Sequence, residues 1–227
     1  AILDKHITSV KTAQSQVKSL EITESLHYSV KRFTAVSTGG YYLGQMFSDL
    51  LLEKSKWKTP LDLLSTEVCV MIEKFSEQVN EEHTTLYLMN NACFILSSWK
   101  AQGITIDEEN AVSKLFDERV TVYLEDTMSE HMTFLYEFVK RNEKKKGSQL
   151  KLSSNEMKGL KLYKENYKDG VAEMHQTIRS EMNWYGLEVY KAFVKMVTEY
   201  HTKYIQILGG TSFVKELVPV KHIVNEA

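Results

Sequence analysis

Glu24 and His27 stand three residues apart, a spacing at which one helix face offers a carboxylate and an imidazole to the same metal ion. Helical bundles build di-iron sites from two such Glu-x-x-His pairs and two further inward-facing glutamates. The chain has a single pair and no His-Glu-x-x-His run, so Glu24 and His27 read as surface residues. Glu81, Glu82 and His83 are contiguous and must point in different directions around a helix. Glu130 and His131 read as solvated in the same way. Phosphate chemistry fares no better. Gly39-Gly40-x-x-x-Gly44 lacks the Lys and Ser or Thr of a P-loop and reads as a helix junction, and no G-x-S-x-G elbow occurs. Tyr185, Tyr190, Phe193, Tyr200 and Tyr204 could stack on bases, but base-stacking proteins pair aromatics with a basic groove. Here Glu188 and Glu199 intervene, so core packing with tyrosine hydroxyls near the surface is the expectation. The chain reads as no enzyme, with no catalytic residue, metal or cofactor assigned.

The composition agrees. Of 227 residues, 43% are hydrophobic and 26% charged, the balance of an ordinary folded protein. A formal net charge of −2 lacks the basic footprint of a nucleic-acid binder. Cys69 and Cys93 read as buried apolar residues in a reducing compartment. On one continuous helix they would lie ~36 Å apart, against a limit of ~7 Å for a disulfide. No run approaches the ~18 apolar residues of a membrane span. AILDKHITSV lacks a signal peptide's features, making the cytoplasm the expected compartment. It also lacks an initiator methionine, as a piece of a longer protein would.

The elements are legible from apolar spacing. Leu61, Leu64, Val68, Met71, Phe75, Val79, Leu86, Met89 and Phe94 recur mostly at steps of three and four. So do Val171, Met174, Ile178, Met182, Tyr185, Val189, Phe193, Val197, Tyr200, Tyr204 and Ile207. Each set marks one helix face and predicts a helix of ~40 residues, ~60 Å long. Only Pro60 and Pro219 could interrupt a helix. The fold class is therefore all-α, an elongated stack of long antiparallel helices.

In detail, residues 1–56 read as N-terminal helices continuing a rod. Ile2 to Leu20 is polar; Leu26, Val30, Phe33 and Val36 mark an amphipathic helix; Gly39-Gly40 offers a cap or kink before Tyr41 to Leu52. Residues 57–210 read as a bundle of three long helical regions. Thr59 and Pro60 form a start signal for a helix running to about Ala101 and ending near Gly103. Asp107 caps the next, Glu108 to Lys145. Ser153 and Glu156 fit a capping box for the last, which stops at Gly209-Gly210, with Gly170 and Gly186 as candidate bends. Residues 211–227 form a tail.

Two polar clusters stand out. Arg141, Lys144, Lys145 and Lys146 close the second long helix, where cations offset the negative helix end; the alternative is contact with acidic lipid or an acidic partner. Asn90 and Asn91 lie within an apolar run, where an asparagine on a buried face fixes helix register.

That run, HTTLYLMNNACFIL (His83 to Leu96), resembles the (F/Y)-L-x-N-N stretch of subunits of multisubunit tethering complexes, the CATCHR family of stacked helical bundles. YLEDTMSEHMTFLYEFVK, LKLYKENYKDGVAEMHQTIRSEM and YKAFVKMVTEYHTKYIQIL resemble, in order and spacing, the C-terminal region of GARP and exocyst subunits. LHYSVKRFTAV (Leu26 to Val36) resembles the H-Y-x-x-R-(Y/F) run that opens that region in GARP. The resemblance covers roughly residues 24 to 208. It implies a scaffold in membrane trafficking without an active site, assembled with sister subunits and recruited to Golgi, endosomal or plasma membranes by small GTPases, SNAREs or anionic lipid. The MUN domains of vesicle-priming proteins carry a similar L-M-N-N run. A stand-alone helical adaptor or effector for a GTPase, SNARE or motor is the other reading.

Overall fold

In the computed structural model the described residues are 2–16, 28–51, 55–104, 109–144, 152–182 and 187–209. Glu24, His27, Asp107, Lys145, Lys146, Tyr185, Gly186 and the tail 211–227 lie outside them. Among the described residues there are eight helices and no strand: α1 (Ile2–Ser15), α2 (Tyr28–Leu51), α3 (Ser55–Ser76), α4 (Glu81–Ala101), α5 (Ala111–His131), α6 (Thr133–Asn142), α7 (Ser154–Glu181) and α8 (Leu187–Leu208). The chain is all-α. It divides into two compact units, Ala1–Val120 and Thr121–Ala227, with the boundary inside α5.

Each expected long helix is broken, and among the described residues the longest helix is α7 with 28 residues. Between α3 and α4 the chain turns at Glu77–Asn80, where Gln78 and Val79 N–H groups donate to the Phe75 and Ser76 carbonyls. The reason is visible in the stripe itself. It steps from Val79 to Leu86 with no apolar residue between, so the buried face lapses there. Asn80 then precedes Glu81 and Glu82, acidic residues in the first turn of α4, where they suit the helix dipole. Cys69 and Cys93 consequently sit on different helices, both buried and free. The start signal at Pro60 is also overridden: α3 begins at Ser55 with Pro60 inside it, although proline cannot donate to the carbonyl four residues back.

The expected helix from Glu108 divides at Met132, which adopts φ −125 and ψ 40 between α5 and α6. Asn110 supports the start of α5, its Oδ1 accepting from Val112 N–H at 2.9 Å. Gly39 and Gly40 neither cap nor break α2. Gly40 instead provides space, since a Cβ there would lie 2.8 Å from Leu61 Cδ2. Two expected signals hold as read. Ser153 and Glu156 make a reciprocal capping box. Gly103, at φ 70, ends α4: its N–H donates to Lys100 O and that of Ile104 to Trp99 O, the paired bonds of a Schellman motif.

In the first unit α3 packs against α1, α2 and α4, and α2 also touches α4. Leu64, Val68, Met71, Ile72 and Phe75 of α3 are buried, each worth about 1.5–3 kcal/mol relative to exposure. Trp99 of α4 is fully buried, meets Phe33 and Tyr41 edge-on, and donates from Nε1 to Ser37 Oγ at 2.8 Å. In the second unit α6 packs on α7 and α8. The second stripe forms its core: Val171, Met174 and Ile178 of α7, with Val189, Phe193, Val197 and Tyr204 of α8, are buried.

Candidate functional site

Both asparagines of the α4 run are buried. From Tyr87 to Cys93 every residue of α4 is buried, so the helix is enclosed on all sides over nearly two turns. Asn91 Nδ2 donates to the Tyr87 carbonyl of its own helix at 2.8 Å. Asn90 Oδ1 and the Tyr87 hydroxyl are buried without a hydrogen-bond partner. Through its Oδ1, then, Asn90 makes no hydrogen bond that could fix helix register. Burial also pushes the Tyr87 phenol well above its ordinary pKa.

The basic end of α6 is less basic than its sequence. Arg141 lies 3.1 Å from Glu137 and 3.7 Å from Glu156. Glu156 also accepts from the Ser153 N–H and hydroxyl, so one carboxylate joins the end of α6 to the start of α7. Lys140 donates to Glu125 of α5, which also accepts from Tyr200 of α8 at 2.6 Å. Partial burial draws the Glu125 pKa upward, but the Tyr200 and Lys140 hydrogen bonds outweigh it and leave it lowered. The Lys140 pKa is raised, chiefly by its hydrogen bond to Glu125. Lys203 pairs with Glu143 at 2.7 Å. Lys144 is exposed. Arg141 is thus brought beside two carboxylates, Glu137 at a local spacing of four and Glu156 from the start of α7, the second too far along the sequence for a local reading to find.

One histidine read as solvated is mostly covered, and a second is fully buried. His131 is mostly covered and shares a 2.9 Å hydrogen bond with Thr177 of α7. His201 is 0% exposed, its Nδ1 sharing a 2.9 Å hydrogen bond with the Tyr163 hydroxyl. Its spacing of four from Val197 and three from Tyr204, inside the apolar stripe, was the available signal. Burial raises the Tyr163 pKa well above the usual phenol value, and Tyr204 and Tyr167 add to it. The Cys69 thiol is pushed up to about 12, by burial and then by Glu73, so it stays protonated and unreactive at neutral pH. Among the described residues no group of three or more His, Cys, Asp or Glu could hold a metal ion.

A groove opens between α1 and α2 over α3, with a volume of about 70 Å³. Phe33, Leu64 and Met71, all buried, form its floor, while His6, Tyr28 and Arg32 line it nearer the surface. Tyr28 is 72% exposed. Among the described residues no carboxylate side chain lines this groove. Sequence reasoning missed the groove because it depends on how α1 and α2 are spaced across α3.

No protein-family model, curated protein or solved structure matches the chain.

Proposed function

We propose that this chain is the C-terminal helical portion of a vesicle-tethering complex subunit of the CATCHR type, acting as a protein–protein scaffold without catalysis. The observation that carries this reading is the enclosure of α4 from Tyr87 to Cys93. The L-M-N-N run, on which the resemblance to tethering subunits rests, falls where a helix is surrounded on all sides. Residues there specify packing, as a run characteristic of a fold does. On this reading the chain works through its surfaces, at the cytoplasmic side of a Golgi, endosomal or plasma membrane. No described helix is long and apolar enough to cross a membrane, in keeping with peripheral recruitment.

Affinity purification of the tagged protein from its native cells, with mass spectrometry of what co-purifies, tests the proposal. Recovery of sister subunits of GARP or exocyst in fixed stoichiometry is the expected result. A single GTPase, SNARE or motor protein in their place would overturn it and establish the second reading, a stand-alone adaptor. The groove between α1 and α2 is the observation favouring that second reading.

A further inference from the structure

The opening of α2, from Tyr28 to Val36, does more than pack. Tyr28, Arg32 and Val36 recur at steps of four along one side of α2, and all three line the groove over α3. From α1, Val10 and Ala13 complete an apolar wall facing them. The result is a slot with an apolar floor and a rim bearing Arg32, His6 and Tyr28.

Its size decides what kind of occupant fits. Small-molecule sites measure roughly 300–1,000 Å³, and this cavity is about 70 Å³. A cofactor is too large, whereas one aliphatic side chain projecting from a larger partner suits it. The rim decides the charge. Arg32 is exposed and, among the described residues, the groove is lined by the cationic Arg32 and by His6 with no carboxylate side chain, so a carboxylate arriving with the partner would meet the guanidinium. The exposed Tyr28 points the same way, since tyrosine and arginine are enriched among residues that dominate protein interfaces. Two helices flanking a floor helix form the kind of channel in which a partner helix lays its apolar face.

We propose that the α1–α2 groove docks an acidic amphipathic helix of a partner protein. One apolar side chain fills the cavity, and a carboxylate one turn away pairs with Arg32. The inference rests on the groove alone and holds whether or not the chain belongs to a tether.

Selection of peptides from a random displayed library on the purified full chain, followed by fluorescence anisotropy of synthetic winners, tests it. The expected winners carry an apolar residue with Asp or Glu three or four positions away. Arg32→Glu should weaken their binding by about tenfold or more, while Arg32→Lys should keep it within a few fold. Because Arg32 is exposed, both variants should retain the parent's circular dichroism and melting temperature. A photoreactive group at the apolar anchor should crosslink to α1, α2 or α3. Failure to select binders, winners lacking acidic residues, or binding indifferent to Arg32→Glu would each overturn the proposal, whatever co-purifies from cells.

Discussion

Asn90 and Asn91 are neighbours in sequence with different positions in the hydrogen-bond network of α4. Asn91 donates to the Tyr87 carbonyl, whereas the Asn90 side-chain oxygen is buried without a partner. An unpaired buried polar atom costs roughly 1–3 kcal/mol, and replacing it by an apolar group of similar size can be neutral. Asn91→Leu is therefore expected to destabilise by about 1–3 kcal/mol, and Asn90→Leu by clearly less. Chemical denaturation of the two variants beside the parent checks the order. Equal losses would mean that both asparagines hold register.

At the scale of elements, three glycines separate helix propensity from helix packing. Gly39 has nothing within 4 Å of where a Cβ would stand, so Gly39→Ala should stabilise by about 0.5–1 kcal/mol. At Gly170 that Cβ would lie 2.9 Å from the His131 carbonyl oxygen. Backbone cannot swing aside as a side chain can, so Gly170→Ala should destabilise by about 1–3 kcal/mol. Gly170 is thus a point of close approach between α7 and the end of α5, in place of the bend its sequence suggested. Melting curves of both variants give the sign directly. At Gly159 the same atom would clash with the Phe134 ring at 2.3 Å, a second close approach, of α7 to α6.

The tie between α5, α6 and α8 should be pH-dependent. Glu125 has a lowered folded-state pKa, so its stabilisation is present above the unfolded value of about 4.3 and is lost as pH falls through the folded value. Lys140, raised, acts in the opposite sense: its contribution is full below about 10.4 and is lost as pH rises through its folded value. Glu125→Gln should cost about 1 kcal/mol at pH 7, a difference that closes toward pH 3. Thermal melts of parent and variant across that range check it, and a constant gap would show that the Tyr200 hydrogen bond alone matters.

At the scale of the whole molecule the charges balance. The net value of −2 gives the chain no overall basic bias, and Arg141 is already paired with Glu137 and Glu156. Reversal of Lys144, Lys145 and Lys146 to Glu should accordingly leave binding to vesicles of about 20% phosphatidylserine unchanged at physiological salt, where screening acts within ~8 Å. Loss of binding in a flotation assay would assign this end of α6 to a lipid surface.

The sequence by itself determined the all-α class, both apolar stripes, the capping box at Ser153 and the termination of α4 at Gly103. Each of these is a local property, set by 3.6-residue periodicity or by hydrogen bonds within a few residues. Tertiary structure decided the rest. It broke the helix expected from Glu108 at Met132, because a turn that lets two helices bury their faces against neighbours outweighs local continuity, whereas the break at Glu77–Asn80 follows the local lapse of the stripe between Val79 and Leu86. It drew Lys140 of α6 to a carboxylate 15 residues away, buried His201 beside Tyr163, and spaced α1 from α2 to leave the groove at Arg32. These features depend on which helices meet, and helix contacts between distant segments leave no mark in the spacing of either one.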